Sequence, residues 1–210
     1  MKPTYLLIAG LIGISCFIVP KFRTEAQIKK HIAKQAYQNG DIIFQSSDSR
    51  QCQAVKFATH SEVSHCGMLL EHEGEWYVLE AVEPVQETKL LTFISRGNGQ
   101  HYTIKRNKEN MLTDAQVEKI KSAARQFIGK HYDIYFNWSN AEIYCSELVW
   151  KLYREAGIDI CAPKKLKDFD LSHPLVITMM KERYGSRIPL EETVVAPSDI
   201  YQSALLTTVE

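Results

Sequence analysis

The chain has 210 residues, of which 45% are hydrophobic and 24% charged, as is typical of one packed globular domain with a small extension. Its 25 basic and 25 acidic residues cancel, so no net field attracts nucleic acid, which is not expected as a partner. Composition therefore excludes a disordered or fibrous protein and leaves the oligomeric state open.

The first twenty residues are more apolar than the rest of the chain. Lys2 precedes an apolar run from Leu6 to Val19, which suits a signal-peptide core but is short for a membrane span of ~20 residues. Residues 20–22 follow directly, without a small-residue cleavage site. We therefore predict a signal peptide or a membrane anchor over residues 1–20, with an unusual buried first helix as the alternative.

The segment after this leader begins with a helix signal. Thr24 and Gln27 form a capping-box pattern, which predicts a helix that ends near Asn39-Gly40. Residues 21–39 are thus expected to form a helical extension. The apolar stretch 41–44 predicts a short strand, and a short helix is expected around residues 54–58.

A β-hairpin is predicted in the next part of the chain. The strands cover residues 67–71 and 76–82, and the loop between them, residues 72–75, contains a glycine. Residues 101–106 alternate between apolar and polar side chains, which indicates a further half-buried strand.

The second half of the chain favours helices. A second capping box at Thr113 predicts a helix to about Ile128, and Pro174–Tyr184 predicts another that ends at a glycine. Between them, a helix stopped by a glycine has apolar residues on one face, namely Cys145, Leu148, Val149, Leu152 and Ala156. Together these elements predict an α+β domain over residues 40–210, with an antiparallel sheet packed against helices.

Cys145 is the candidate nucleophile. It lies at or near the start of its helix, where the unpaired N–H groups favour a thiolate and are available to an oxyanion. The alternative is that Cys145 is simply the first apolar residue of the helix face. Three more cysteines follow the leader, and no CxxC pair indicates a zinc ribbon or a thioredoxin-type site; they are Cys52, Cys66 and Cys161.

His65 is the candidate base, and Glu80 is the candidate partner of its imidazole. If Glu71 pairs with Trp76 in the hairpin, His65 faces Val82, and His65 and Glu80 become diagonal neighbours on one face of the sheet. A carboxylate there orients the imidazole, as in a catalytic triad. The alternative for Glu80 is an exposed strand end. A hairpin loop one residue longer or shorter would place His65 and Glu80 on opposite faces of the sheet.

Other histidines and cysteines receive structural interpretations. No metal site is expected at His60, His65, Cys66 and His72, because the spacing of these residues in the chain fits no zinc-ligand template. Cys66 has the opposite strand parity to His65 and is expected to point away from the site. His131 is expected in a loop, and Cys52 and Cys161 show no local setting that activates a thiol.

Several motifs in order resemble the YiiX-type proteins, a branch of the NlpC/P60 superfamily with a circularly permuted papain-like fold. The resemblance extends from about Gly40 to the C-terminus, and the histidine precedes the cysteine, as in that family. The matching stretches are Gly40-Asp41-Ile42-Ile43-Phe44-Gln45, Ala58-Thr59-His60-Ser61, Ser64-His65, Gly67-Met68-Leu69, Glu80-Ala81-Val82, Gly129-Lys130, Tyr132-Asp133, Tyr144-Cys145-Ser146-Glu147, Lys167-Asp168-Phe169-Asp170-Leu171-Ser172 and Ile188-Pro189-Leu190-Glu191-Glu192-Thr193-Val194-Val195.

The resemblance implies roles for three residues of this chain. Cys145 would be the nucleophile, His65 the general base and Glu80 the residue that orients the imidazole, in acyl transfer through a thioester without metal or organic cofactor. Cys66 stands where relatives carry threonine. Secreted members of the family occur in Gram-negative bacteria, which favours a periplasmic or envelope location.

Three functions are compatible with this sequence. The first is an amidase or peptidase that acts on a peptide, an amino-acid conjugate or a cell-wall fragment. The second is a lipid acyl hydrolase or acyltransferase, because the permuted lecithin:retinol acyltransferase group acts on lipids; the third is a binding module without turnover. Aromatic residues near the motifs are available to line a pocket in each case, namely Trp76, Tyr132, Tyr135, Phe136, Trp138 and Tyr144.

Overall fold

The computed structural model describes residues 22–108 and 112–210. The predicted leader, residues 1–20, lies outside them. The helices are α1 (Glu25–Ile32), α2 (Arg50–Thr59), α3 (Leu90–Arg96), α4 (Asp114–Phe127), α5 (Cys145–Glu155), α6 (Pro174–Tyr184) and α7 (Pro197–Tyr201). The strands are β1 (Ile42–Gln45), β2 (His65–His72), β3 (Glu75–Glu80), β4 (Gln86–Lys89), β5 (Tyr102–Asn107), β6 (Lys164–Lys165), β7 (Thr193–Val194) and β8 (Leu206–Thr208).

The fold is built on an antiparallel sheet of six strands in the order β4-β3-β2-β1-β5-β8. Strands β6 and β7 form a separate antiparallel pair. Helices cover both faces of the large sheet, so the predicted α+β class is confirmed. No helix within residues 22–108 and 112–210 is long and apolar enough to cross a membrane.

The β2–β3 hairpin has the predicted register, with Glu71 opposite Trp76. Its loop is shorter than predicted, because His72 pairs with Glu75 and only Glu73 and Gly74 remain in the turn. Both turn residues have positive φ, at 54° and 80°, as a two-residue hairpin turn requires. β3 also ends at Glu80 instead of reaching residue 82, so the predicted pairing of His65 with Val82 is wrong.

Alternate side chains of the central strands enter two different cores. One core lies between the sheet and helices α4 and α5, and it includes Met68, Leu79 and Leu148. The other lies on the opposite face beneath α1 and α3, and it includes Leu69 and Val78. Because strand side chains alternate between faces, adjacent residues of β2 and β3 take part in different layers.

A third apolar cluster lies between α2 and α6, away from the large sheet. Ala54 of α2 faces Val176, Met179 and Met180 of α6, and Tyr144 packs among them. An exposed ion pair between Arg50 and Glu182 joins the same two helices, with 3.1 Å between the Nη2 and Oε1 atoms. The α2–α6 pair thus forms a separate wall beside the start of α5.

The N-terminal helix is shorter than predicted. Thr24 caps α1 as expected, but the helix ends at Ile32 and not near Asn39. The chain after it hydrogen-bonds to the sheet: Arg106 donates to the Ala36 carbonyl, and the Asn39 side chain accepts from the Glu71 N–H at 2.7 Å. These tertiary bonds replace further helical turns, so residues 22–39 are only partly helical.

Other element boundaries agree with the sequence patterns to different degrees. α6 has the predicted bounds, and α4 ends one residue before the predicted Ile128. α2 extends over Arg50–Thr59, well beyond the short helix predicted at 54–58, because Ser49 caps its first turn. Elements β4, α3, β6, β7, α7 and β8 were not predicted, and α3 bears directly on the site.

Candidate active site

Cys145 is the first residue of α5, as the sequence indicated. Its helix lies against β2, and one apolar side, with Leu148 and Leu152, is fully buried in the core. The first N–H groups of a helix lack helical acceptors, and the helix dipole is positive at this end. Cys145 is 5% exposed, and its thiol therefore lies where a thiolate and an oxyanion are both favoured.

His65 and Glu80 meet at the end of the hairpin. The His65 Nε2 atom lies 2.6 Å from the Glu80 Oε2 atom, and Glu80 is fully buried. The alternative of an exposed strand end for Glu80 is therefore wrong. Gly67 makes this approach possible: a Cβ there would lie 2.4 Å from a Val78 methyl and 3.2 Å from the Glu80 Cβ.

Helix α3 supplies a residue that sequence reasoning missed. Its Arg96 guanidinium donates to the Glu80 carboxylate, and the Phe93 ring stacks near His65 with 5.8 Å between ring centroids. The apolar residues of Leu90-Leu91-Thr92-Phe93-Ile94 were the available signal for a helix in this segment. The pattern gives no indication that Arg96 reaches Glu80, because that contact joins two separate elements.

His65 connects the Glu80 carboxylate to the Cys145 thiol. Burial alone lowers the pKa of His65, but the charge and hydrogen bond of Cys145 and then those of Glu80 outweigh burial and raise the pKa to about 10. His65 therefore holds its proton at neutral pH. Since Nε2 faces Glu80, Nδ1 is the ring nitrogen left for the Cys145 sulfur.

Cys66 contacts the candidate nucleophile, contrary to the sequence prediction. Its parity is opposite to that of His65, as expected, but this directs it to the face of the sheet where α5 packs. The hydrogen bond from the Cys66 thiol is the largest influence on Cys145, and with the His65 charge and the Cys66 N–H it holds the pKa of the Cys145 thiol well below its usual value. Burial raises the pKa of Cys66 itself, so its thiol keeps the proton that it donates.

An apolar pocket opens directly beside Cys145. Its walls come from α2, α6 and the segments around Tyr144 and Val195. Tyr132, Phe136 and Tyr144 of the predicted aromatic set line it. Trp76 does not, because it packs on Tyr37 at the opposite face of the sheet. The remaining lining residues are mostly apolar and include Ala54, Val55, Ala58, Leu166, Phe169, Leu171, Val176, Met179 and Met180.

The other cysteines differ from one another. All four cysteines in the described residues are free thiols. Although burial opposes it, hydrogen bonds from Ser47, Ser49 and Ser64 lower the pKa of Cys52, so the prediction that nothing near Cys52 activates its thiol is wrong. Burial raises the pKa of Cys161 to about 12, as expected for an inert thiol.

Three other histidines pair with carboxylates away from the pocket. His131 is exposed in its loop and lies 2.7 Å from Glu83. His60 lies 3.0 Å from Asp170, and His72 lies at the far end of β2 beside Glu87. Among the residues that the structure describes, no three His, Cys, Asp or Glu side chains are grouped to hold a metal ion.

Comparison with known proteins places this architecture in a family. The profile of the permuted papain-like amidase enzymes, the YaeF/YiiX, C92 family, matches residues 36–210. The chain belongs to this family. The match includes all three candidate residues of the site and the whole of the large sheet.

Two relatives of the YaeF/YiiX family show how close the similarity is. The uncharacterized protein YiiX of Escherichia coli K12 is 47% identical over 173 residues, which cover 82% of this chain and 85% of that protein. The crystal structure of the metalloprotein yiiX from Escherichia coli O157:H7 is 48% identical and superposes with a TM-score of 0.79. That comparison covers 82% of this chain and 96% of the other.

Membership in the YaeF/YiiX family establishes the general class of activity. The protein is a papain-like cysteine hydrolase of the amidase type. The alternative of a binding module without turnover is therefore set aside.

The His65–Glu80 pair generates a prediction about His65. Replacing Glu80 with glutamine (Glu80→Gln) removes the charge that helps His65 keep its proton, so the pKa of His65 falls by roughly 1–3 units. The imidazolium is then lost at a lower pH than in the wild type, where its pKa is about 10, so it pairs with the Cys145 thiolate over a narrower pH range. We expect to observe this fall in the pKa of His65 in an NMR titration of its imidazole resonances.

A second His–Glu pair in the same hairpin region provides the control. His72 and Glu87 are also adjacent, at 3.0 Å, but they are partly exposed and far from Cys145. Glu87→Gln should leave the His65 titration unchanged. An unchanged His65 titration in Glu80→Gln would show that the Glu80 charge does not hold the imidazole proton.

Proposed function

We propose that the protein hydrolyses an amide bond through a thioester on Cys145, with His65 as general base and Glu80 as the residue that orients the imidazole. The observation that carries this proposal is the line of contacts from Cys145 through His65 to the buried Glu80. A thiolate at a helix N-terminus beside an imidazolium is the arrangement that activates a cysteine nucleophile.

The reaction follows from the protonation states of this line. The Cys145 thiolate attacks the carbonyl carbon, a C–S bond forms, and the carbonyl oxygen becomes an oxyanion facing the first N–H groups of α5. His65 gives its proton to the leaving nitrogen as the C–N bond breaks, leaving a thioester. Water, deprotonated by His65, then attacks the thioester and releases a carboxylic acid and the thiolate.

The pocket beside Cys145 indicates the chemistry of the acyl portion. A group attached to the scissile carbonyl would extend between α2 and α6, where Ala54, Val176 and Met179 present apolar side chains. Burial of apolar substrate atoms there contributes roughly 25 cal/mol per Å² of area. We propose an amide whose acyl side is apolar, such as a peptide, amino-acid conjugate or cell-wall fragment with an apolar residue.

The same pocket favours one second candidate. A lipid acyl chain is also an apolar group on a carbonyl, and the thioester chemistry of Cys145 applies equally to an ester. The protein as a lipid acyl hydrolase or acyltransferase is therefore the alternative, and the leaving group distinguishes the two.

The proposed reaction involves no metal ion. The related yiiX structure is described as that of a metalloprotein. In this chain the His65 Nε2 atom faces Glu80, and His60 faces Asp170 at a different part of the surface. These donors do not converge within the described residues, so they do not fit a metal site.

We propose further that the protein is exported to the periplasm or envelope. The apolar run from Leu6 to Val19 after Lys2 supports this, either as a signal peptide or as a membrane tether. The amide substrate would then be met outside the cytoplasm.

The nucleophile is tested with matched acyl amides and acyl esters that carry the same apolar acyl group. We expect Cys145→Ala to lower turnover on the order of 10⁴-fold or more, because no other group in the site forms the covalent intermediate. Mass spectrometry of wild-type protein should find the acyl group on the peptide that contains Cys145. Cys161→Ser serves as the control and should retain turnover; acylation of another residue contradicts the proposal.

The pocket is tested by filling it. Ala54→Phe places a ring between α2 and α6, so we expect KM to rise at least about tenfold for long apolar acyl groups and to change little for an acetyl group. Gln53→Phe places the same ring on the exposed side of α2 and should change neither. Equal effects of Ala54→Phe on long and short acyl groups would show that the acyl chain binds elsewhere.

Export is tested by fractionation of a Gram-negative host that expresses the full chain or a chain without residues 1–20. We expect the full chain in the periplasmic or membrane fraction and the shortened chain in the cytoplasm. N-terminal sequencing of the exported protein then distinguishes a cleaved signal peptide from a retained anchor. Cytoplasmic location of both chains would overturn the proposal.

A further inference from the structure

A line of polar side chains crosses the apolar pocket and ends at the site. Arg183 of α6 donates from its Nη2 atom to the Gln51 Oε1 atom of α2, at 2.6 Å. The Gln51 Nε2 atom donates to the Tyr132 hydroxyl at 2.7 Å. Tyr132 in turn interacts electrostatically with Cys145, and all four residues line the same pocket.

The donors and acceptors of this line have one consistent direction. A guanidinium has no acceptor, so Arg183 must contact the oxygen of the Gln51 amide. The amide nitrogen is then the atom that faces Tyr132, and it can only donate. Because the Tyr132 oxygen accepts that bond, its single proton is directed elsewhere, toward Cys145.

The surroundings of Tyr132 keep that proton in place. Burial and then the charge of Cys145 raise the pKa of the Tyr132 hydroxyl well above its usual value, while Arg183 acts in the opposite sense. The titratable groups that face this part of the site are His65 and Cys66 from β2, Cys52 from α2, and Arg183 from α6. The hydroxyl therefore acts as a donor throughout the neutral pH range.

Arg183 has a second contact that fixes its position. Its guanidinium lies over the Phe136 ring, 5.1 Å from the centroid, at the pocket wall. The stacked guanidinium presents its N–H groups in a fixed plane, which a flexible ammonium does not. The direction of the whole line is thus determined at α6, on the far side of the pocket from α5.

We propose that Arg183 and Gln51 are positioning residues that direct the Tyr132 hydroxyl proton toward the Cys145 sulfur and the substrate oxygen that develops charge beside it. The inference rests on the proposed function, in which Cys145 is the nucleophile. In this arrangement Tyr132 adds a side-chain donor to the backbone donors of α5, and neither Arg183 nor Gln51 touches the reacting atoms.

The test reverses the direction of the hydrogen bond between residue 51 and Tyr132. In Gln51→Glu, the carboxylate still accepts from Arg183 but cannot donate to Tyr132, whose proton turns toward it and away from Cys145. Carboxamidomethylation of Cys145 by iodoacetamide, followed by mass spectrometry across pH, reports the thiolate. We expect Gln51→Glu and Tyr132→Phe each to raise the apparent pKa of Cys145 by roughly one unit, the amount for one hydrogen bond to a charged group.

The double variant distinguishes an effect of the direction of the Tyr132 proton from an effect of the new carboxylate charge. If Gln51 acts through the Tyr132 proton, Gln51→Glu combined with Tyr132→Phe gives no larger shift than Tyr132→Phe alone. A further shift in the double variant would show that the new carboxylate acts directly by its charge, and would overturn the proposal. Arg183→Lys keeps a donor but not the fixed plane of the guanidinium, so it should raise the apparent pKa of Cys145 less than Arg183→Met, which removes the donor to Gln51.

A nearby ion pair supplies the matched control. Glu182→Gln breaks the Arg50–Glu182 contact between α2 and α6 without touching Gln51, so the profile should stay as in wild type. A shift in that variant would mean that general loosening of the two helices explains the effect. If wild-type Cys145 reacts no faster than Cys161 at neutral pH, the proposed function itself fails; a reactive Cys145 with no shift in Gln51→Glu removes only the positioning roles.

Discussion

The fully buried carboxylate of Glu80 is the constraint on which the rest of the site depends. A buried charge without partners is costly, so Glu80 requires cations close to it. His65 and Arg96 supply them from β2 and α3, on the same face of the sheet. The charge of the Cys145 thiolate and then that of Glu80 keep the proton on His65, so a single imidazolium pairs with both anions. The buried carboxylate thus supports the thiolate form of Cys145 through His65.

The site lies at the start of β2, where side chains from the two faces of the sheet can meet. Glu80 and Cys145 belong to opposite faces of the sheet, which a continuous hairpin would separate. The β2–β3 pairing stops at Met68 and Leu79, so the start of β2 has no neighbour on that side. His65 extends from this open corner to both faces, and the free N–H of Cys66 turns to the Cys145 sulfur. The early end of β3 therefore allows His65 to contact both Glu80 and Cys145.

The Arg183–Gln51–Tyr132 hydrogen bonds and the apolar pocket contribute different properties to the site. Apart from Arg183 and Cys145, the pocket between α2 and α6 is lined by uncharged residues, which suits the apolar acyl group that we propose. The Arg183–Gln51–Tyr132 line crosses its wall and connects α6 to the thiol. The candidate nucleophile and most of the pocket wall therefore lie on different elements, and α2 and α6 contribute to both the wall and the hydrogen-bonded line.

The sequence by itself determined the α+β class, the hairpin register and the helix that begins at Cys145, because each depends on local patterns of period 2 or 3.6, on caps and on a turn glycine. It also brought His65 and Glu80 to one face, since register alone fixes parity. Arg96, the Cys66 contact and the Gln51 amide were decided only by the tertiary structure. Each of these contacts joins elements distant in the chain, and local periodicity carries no information about which side chains two packed elements bring together.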